Sequence, residues 1–314
     1  MALEPQTKAL MDAMNAMAAP KLYEMRVEEA RVALEAITLE YRCKPQVVAR
    51  VDDRQINGPG GDIPLRIYQP VEGGRDLPLL LYYHGGGFAL CSIESHDTIC
   101  RSLCNDAGAI IVSVDYRRSP EHPFPAAPED CYAALEWVSE QAEFLGGNSN
   151  RIALAGDSAG SNLVAAVTLM AKARVGPTIA FQALCCPGLN LNPAYMTPSR
   201  RQFGGGEFFL SFKDLHWLTE MYFQQPRDIE NPIASPLLAT NLSGLPPALI
   251  ITADHDMLRD DGALFAEKLR DAGVDAEHVE FEGTIHGFIA FAGVLDAGRD
   301  AILLIARRVR ERLS

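Results

Sequence analysis

What this 314-residue chain has little of narrows it first. Positive charge is scarce: 28 lysines and arginines face 41 aspartates and glutamates, a formal net charge of −13. That balance argues against nucleic acid or an anionic membrane as partner and favours neutral substrates, with solubility as its plainest consequence. No apolar stretch free of Pro and Gly approaches the ~18–20 residues that span a bilayer. The opening Met1-Ala2-Leu3-Glu4-Pro5 lacks a basic region followed by an apolar core, so no signal peptide is expected. Cysteines number 7, an odd count at irregular spacing, which reads as reduced thiols in a cytoplasmic protein. Cys185-Cys186 reads as strand core. No set of His, Asp or Glu has metal-ligand spacing, and no repeat or low-complexity tract is present. No metal and no cofactor are expected.

What is there is a large apolar fraction, 48%, ample for one long α/β sheet or two small domains. Residues 1–44 read as amphipathic helix, with Met11, Met14 and Met17, then Leu22, Met25 and Val27, near helical spacing. Strands follow near Val47–Val51, Ile63–Tyr68, Leu79–Tyr83 and Ile110–Val114. Ala126 to Gln141 reads as a helix. Strands at Ile152, Phe181 and Leu249 then alternate with helices, the signature of a mainly parallel sheet.

Gly156-Asp157-Ser158-Ala159-Gly160 carries the chemistry. Arg151–Ala155 before it is strand-like, and Ser161–Ala173 after it is apolar and unbroken, as a helix should be. A Gly-x-Ser-x-Gly between strand and helix makes a sharp elbow that holds its serine in a strained backbone with the hydroxyl exposed. Upstream, His84-Gly85-Gly86-Gly87-Phe88 follows the apolar run Leu77–Tyr83. Three glycines leave backbone N–H groups unshielded, free to face a developing oxyanion. No Lys-Ser/Thr follows them and the spacing is not Gly-x-Gly-x-x-Gly, which argues against a phosphate cradle.

A nucleophilic serine needs a base, and the base an orienting acid. Both should lie beyond Ser158. Asp254-His255-Asp256 follows the buried strand Pro247–Ala253, and Glu282–Phe288, containing His286, follows the strand-like Val274–Phe281. Both segments sit at strand C-termini, where open α/β sheets keep their chemistry. Asp254 and Asp256 are rival acids at this stage. His84, Glu121, His122 and Asp157 read as hydrogen-bonded scaffold. His96, His216, His255 and His278 have no motif around them and read as surface or supporting residues.

Taken with Tyr116-Arg117-x-x-Pro120-Glu121-His122-Pro123-Phe124-Pro125, Asp256-x-Leu258-Arg259-Asp260 and Ile285-His286-Gly287-Phe288, these motifs resemble the hormone-sensitive-lipase family of α/β-hydrolases. The likeness runs from about Pro45 to the C-terminus. It implies an α/β-hydrolase fold: a mostly parallel, eight-stranded twisted sheet with helices on both faces and a helical cap. The implied division is 1–44 in the cap, 45–188 and 237–314 in the core, and 189–236 as a cap insertion. The implied roles are Ser158 as nucleophile, His286 as general base and acid, Asp256 as its orienter, and Gly86, Gly87 and Ala159 as oxyanion donors, with Gly85 shaping the turn.

The implied activity is that of a serine carboxylesterase on small-molecule esters with short to medium acyl chains. Amides, carbamates, lactones and acetylated sugars are the alternatives that triad and fold leave open. The plant gibberellin receptors resemble the family but lack the catalytic histidine, and here His286 is present. Three departures stand out: Ser161 where the family has a second glycine, Arg118-Ser119 where it has Leu-Ala, and Met257 where it has proline. Most aromatics of the 189–236 excursion read as ordinary core; Phe208, Phe209, Phe212 and Trp217 are candidate substrate neighbours in the cap, with none of them singled out. Val274–Phe281 and Ala301–Leu313 are where a homodimer would form.

Overall fold

Leu79–Tyr83 and Ile152–Ala155 are unbroken apolar runs, Ile110–Val114 is interrupted only by Ser113, and every residue in them is buried. A strand buried on both faces needs such a run, so these segments lie at the centre of a sheet. Each fully buried Leu or Ile there contributes roughly 1.5–3 kcal/mol. The computed structural model of the chain describes residues 2–17 and 19–313; Met1, Ala18 and Ser314 lie outside the described residues.

The strands are β1 (Arg50–Gly58), β2 (Gly61–Gln69), β3 (Leu77–Tyr83), β4 (Ile110–Val114), β5 (Gly147–Asp157), β6 (Phe181–Cys185), β7 (Ala248–His255) and β8 (Ala276–Ile285). They form one eight-stranded sheet in the order β1-β2-β4-β3-β5-β6-β7-β8. β1 and β2 are an antiparallel hairpin, β2 meets β4 antiparallel, and the pairings from β4 through β8 are parallel.

The helices are α1 (Pro5–Ala16), α2 (Val27–Tyr41), α3 (Ile93–Ala107), α4 (Ala126–Glu140), α5 (Ala142–Leu145), α6 (Ala159–Arg174), α7 (Pro198–Phe203), α8 (Phe212–Tyr222), α9 (Arg259–Asp271) and α10 (Asp296–Leu313). Strand alternation sorts them onto two faces. Leu79, Leu81 and Tyr83 point to the side packed by α4, α6 and α9, through Leu135, Leu163 and Phe265. Leu80 and Tyr82 point to the side packed by α1, α3 and α10, through Leu10, Ile99 and Ile305.

Two strands differ from their sequence reading. β1 starts at Arg50 rather than near Val47, because Arg50–Gly58 is an edge strand with polar residues on both faces and only Ile56 buried. β8 runs on to Ile285, immediately before His286. Of the N-terminal methionines, Met11 is buried and Met17, beyond the end of α1, is 49% exposed.

Between β6 and β7 the chain makes a long excursion whose ends meet: Leu237 N–H donates to Leu189 O at 2.9 Å. An ion pair between Arg200 on α7 and Asp261 on α9, both side chains fully buried and 3.0 Å apart, fastens it to the sheet. The Arg200 guanidinium also donates to the carbonyls of Asn190, Asn192 and Tyr195.

Candidate active site

Three strands of the sheet each end one residue before a polar side chain, and the three side chains converge. β5 ends at Asp157, and Ser158 takes φ 51°, ψ −117° before α6 begins at Ala159. The strained elbow is held by a hydrogen bond from Ser158 N–H to Cys185 O at 2.8 Å. It is also held by close approach: a Cβ on Gly160 would lie 1.9 Å from Tyr83 O, so only glycine fits there. Ser161, the departure from the family pattern, donates to Gly156 O at 2.7 Å and accepts Cys185 N–H at 2.8 Å, tying the elbow to β6.

β7 ends at His255 and β8 at Ile285, so Asp256 and His286 follow immediately. His286 Nδ1 is 2.7 Å from Asp256 Oδ2, and its Nε2 is 2.8 Å from Ser158 Oγ. With Nδ1–H given to the carboxylate, Nε2 keeps its lone pair for the serine hydroxyl. Burial alone would lower the His286 pKa, but the charge and hydrogen bond of Asp256, helped by Asp157, lift it above its ordinary value. The second oxygen of Asp256 accepts Leu258 N–H at 2.9 Å. Asp254, the rival acid, is turned away: its Oδ1 accepts Thr284 N–H at 3.1 Å and pairs with His255 Nδ1 at 2.7 Å.

The glycine loop lies opposite. Gly86 and Gly87 have φ of 110° and 61°, conformations that any Cβ would strain. Gly85 has another reason to be glycine: a Cβ there would lie 2.3 Å from Asp157 Oδ2. Its N–H donates to Asp157 Oδ1 at 3.1 Å. The N–H groups of Gly86, Gly87 and Ala159 donate to no acceptor among the described residues.

His84 is fully buried and stacked on Tyr116; it holds Gly85 O at 2.7 Å, and burial pushes its pKa down to about 3, so it stays neutral. Asp157 is also buried, yet its carboxyl stays below the usual range. Burial opposes this, and His96 above all, then Tyr82 and His84, outweigh it.

Ser158, His286, Gly86, Gly87 and Ala159 border a cleft with about 900 Å³ of empty space, and Asp256 stands behind His286. Its walls are mainly aliphatic, including Leu34, Leu90, Leu191, Leu215, Leu218 and Leu258. Of the four candidate aromatic neighbours, only Phe209 borders it. Phe208 and Phe212 instead pack with Phe203 and Met257, and Trp217 packs beside Leu218 and Leu90.

Of the two readings open for His96 and His255, the structure has the supporting one: His96 is 1% exposed, lies 3.1 Å from Asp157 and borders the cleft, and His255 is buried with its ring 5.1 Å from that of Phe208. One reading needs correcting. His122 is exposed rather than scaffold, whereas Glu121 pairs with Arg31 of α2 at 2.7 Å.

Several supporting residues had no local signal. Arg31 also donates to Ala89 O and Ser119 O, so α2 is bolted to the loop that continues from the glycines. The Arg118 guanidinium donates to Cys91 O and Ser119 Oγ to Phe88 O at 3.2 Å, giving the polar departures from the family pattern a structural use.

Nucleophile elbow, glycine loop and sheet order together define an α/β-hydrolase. Residues 80–290 match the family described as the alpha/beta hydrolase fold, and the chain belongs to that family, in its hormone-sensitive-lipase branch. Carboxylic ester hydrolase LipN of Mycobacterium tuberculosis is 44% identical over 251 residues, covering 78% of this chain and 66% of that protein. Carboxylesterase NlhH of the same organism is 39% identical over 284 residues, covering 88% of this chain and 86% of its own. The solved structure of a hyperthermophilic esterase from the archaeon Pyrobaculum calidifontis superposes with a TM-score of 0.93 at 42% identity, covering 99% of both chains.

Proposed function

We propose that this protein is a serine carboxylesterase acting on neutral esters with short to medium acyl chains. The observation that carries the reading is the continuous chain Ser158 Oγ–His286 Nε2 at 2.8 Å and His286 Nδ1–Asp256 Oδ2 at 2.7 Å. The names of its relatives, carboxylic ester hydrolase and carboxylesterase, support the same class of bond.

In this reading His286 takes the serine proton as Ser158 Oγ attacks the ester carbonyl. The N–H groups of Gly86, Gly87 and Ala159, with the positive end of α6 behind them, stabilise the oxyanion. The intermediate collapses, and the alcohol leaves with the proton from His286. Water, activated by the same imidazole, then attacks the acyl-enzyme and frees Ser158. The aliphatic cleft suits an acyl chain and offers little to a sugar or a charged group.

The cap reading belongs here too. α2 and the excursion between β6 and β7 supply Leu34, Leu191, Leu215 and Leu218 to the cleft and so roof the serine. The 7 free thiols fit a reducing cytoplasm. Among the described residues no helix is long and apolar enough to cross a membrane. A homodimer would use β8, which ends the sheet, and α10, where Leu303 is 50% exposed.

The test is hydrolysis of p-nitrophenyl esters from acetate to laurate, with Ser158→Ala alongside. Expected is a maximum at short or medium chains and a loss of several orders of magnitude in the variant. Near-normal turnover by Ser158→Ala would sink the assignment.

A further inference from the structure

Behind His286 lies a thiol that ester hydrolysis does not call for. Cys186, the residue after β6, is buried and holds a left-handed backbone with φ 49°. Its sulfur, a carboxylate oxygen of Asp256 and a ring nitrogen of His286 all lie within 4.8 Å of one another. The ends of β6, β7 and β8 supply them, so their convergence is built into the sheet. His286 and Gly287 border the cleft while Cys186 does not, which makes the imidazole the wall between cleft and cluster.

We propose that Cys186, Asp256 and His286 form a latent site for a thiophilic divalent cation, Zn²⁺ or Cd²⁺, whose binding switches the enzyme off. Thiolate, imidazole and carboxylate are the donors such cations prefer, whereas Mg²⁺ and Ca²⁺ favour all-oxygen sites. Zn–S near 2.3 Å and Zn–N or Zn–O near 2.0–2.2 Å put tetrahedral ligands about 3.5 Å apart, so His286 Nδ1 and Asp256 Oδ2, now 2.7 Å apart, have to open by somewhat less than about an ångström while Cys186 Sγ, within 4.8 Å of both residues, closes in.

Binding releases the thiol proton to solvent, the ring proton of His286 moves from Nδ1 to Nε2, and no electron is transferred. The thiolate and carboxylate then balance the dication, and a neutral complex avoids the cost of burying a lone ion. In the free protein, contact with Cys185, burial and the charge of Asp256 hold the Cys186 thiol well above its ordinary pKa. It is therefore protonated and unreactive until a cation draws the proton off. Once a cation sits on Nδ1, Asp256 no longer holds the tautomer that leaves Nε2 free for Ser158.

Binding and inhibition are tested separately, because only the inhibition arm rests on the esterase reading. The full-length Ser158→Ala protein is titrated with Cd²⁺, following the near-ultraviolet thiolate-to-cadmium absorption and proton release in weak buffer. One saturating equivalent and about one proton per cation are expected. Adding Cys186→Ala, or Cys186→Ser as a second variant should the first not fold, abolishes both signals.

In the active protein Zn²⁺ inhibits turnover and a chelator restores it. Its half-inhibiting concentration rises at least about tenfold in Cys186→Ala, each rate being taken against that variant's own metal-free rate. A cadmium band that survives loss of Cys186, or equal Zn²⁺ sensitivity in the two proteins, overturns the proposal. An absence of ester turnover sinks the esterase reading and leaves the cadmium titration standing.

Discussion

Asp157 and Gly85 are joined by one hydrogen bond, Gly85 N–H to Asp157 Oδ1 at 3.1 Å, which ties the nucleophile elbow to the glycine loop. The same carboxylate takes the Tyr82 hydroxyl at 2.8 Å and stands 3.1 Å from His96 Nε2. One buried anion therefore sets the distance between the serine and the N–H groups that face it.

Removing that anion should loosen the oxyanion loop more than the substrate cleft. Asp157→Ala is expected to lose about 10²–10³ in kcat, the scale of one lost oxyanion donor, with KM little changed. Asp157→Asn, whose amide oxygen still accepts Gly85 N–H, should recover part of the loss. Steady-state kinetics on one ester decide it: a defect confined to KM would rule out the loop-setting role. Because the folded pKa of Asp157 is depressed, its stabilisation is present above the unfolded value of about 3.9 and is lost as pH falls through the folded value.

The pH profile should report on His286. Its pKa is raised above 6.5, and it must be neutral to accept the serine proton, so the acid limb of kcat/KM should lie above pH 6.5. Asp256→Asn removes the two largest influences that raise it and leaves burial, which lowers it, opposed only by the weaker charge of Asp157. The limb should then move to lower pH while kcat drops by about 10⁴. An unmoved limb in Asp256→Asn would show that another group sets the profile.

Arg200 and Asp261 make a stability prediction. Arg200→Met leaves the Asp261 carboxylate buried with only the N–H groups of Leu189 and Asn190. The expected cost is about 3–5 kcal/mol. Arg200→Met with Asp261→Leu should recover much of it, since no unpaired charge remains. Urea unfolding of both variants checks this, and a single variant within about 0.5 kcal/mol of the parent would count against the pair as the anchor of the excursion.

How legible each part was follows from the range of the forces that set it. β4 and α4 could be bounded within a residue or so because unbroken burial or helical periodicity is written into adjacent positions. β1 could not, since an edge strand carries polar residues on both faces. The triad candidates were legible as residues at strand ends, but the choice between Asp254 and Asp256 drew on family pattern. The structure separates them by which carboxylate faces His286. Arg31 and His96 had no local signal, because their partners lie 58 to 90 residues away for the first and 61 for the second. Which aromatics of the excursion are core was not legible either: Phe208 and Phe212 pack with Phe203 and Met257 rather than beside the serine.

The sequence by itself determined most of the elements and the candidate chemistry they carry: the elbow around Ser158, the glycine loop, and the segments after two strands that hold Asp256 and His286. These depend on backbone freedom and apolar spacing between near neighbours, which the order of residues specifies directly. Only the tertiary structure decided which acid serves His286, which leucines wall the cleft, and that Cys186 stands behind the imidazole. Those outcomes depend on which side chains the folded sheet brings within a few ångströms of each other across 30 residues or more. No local pattern encodes such distances.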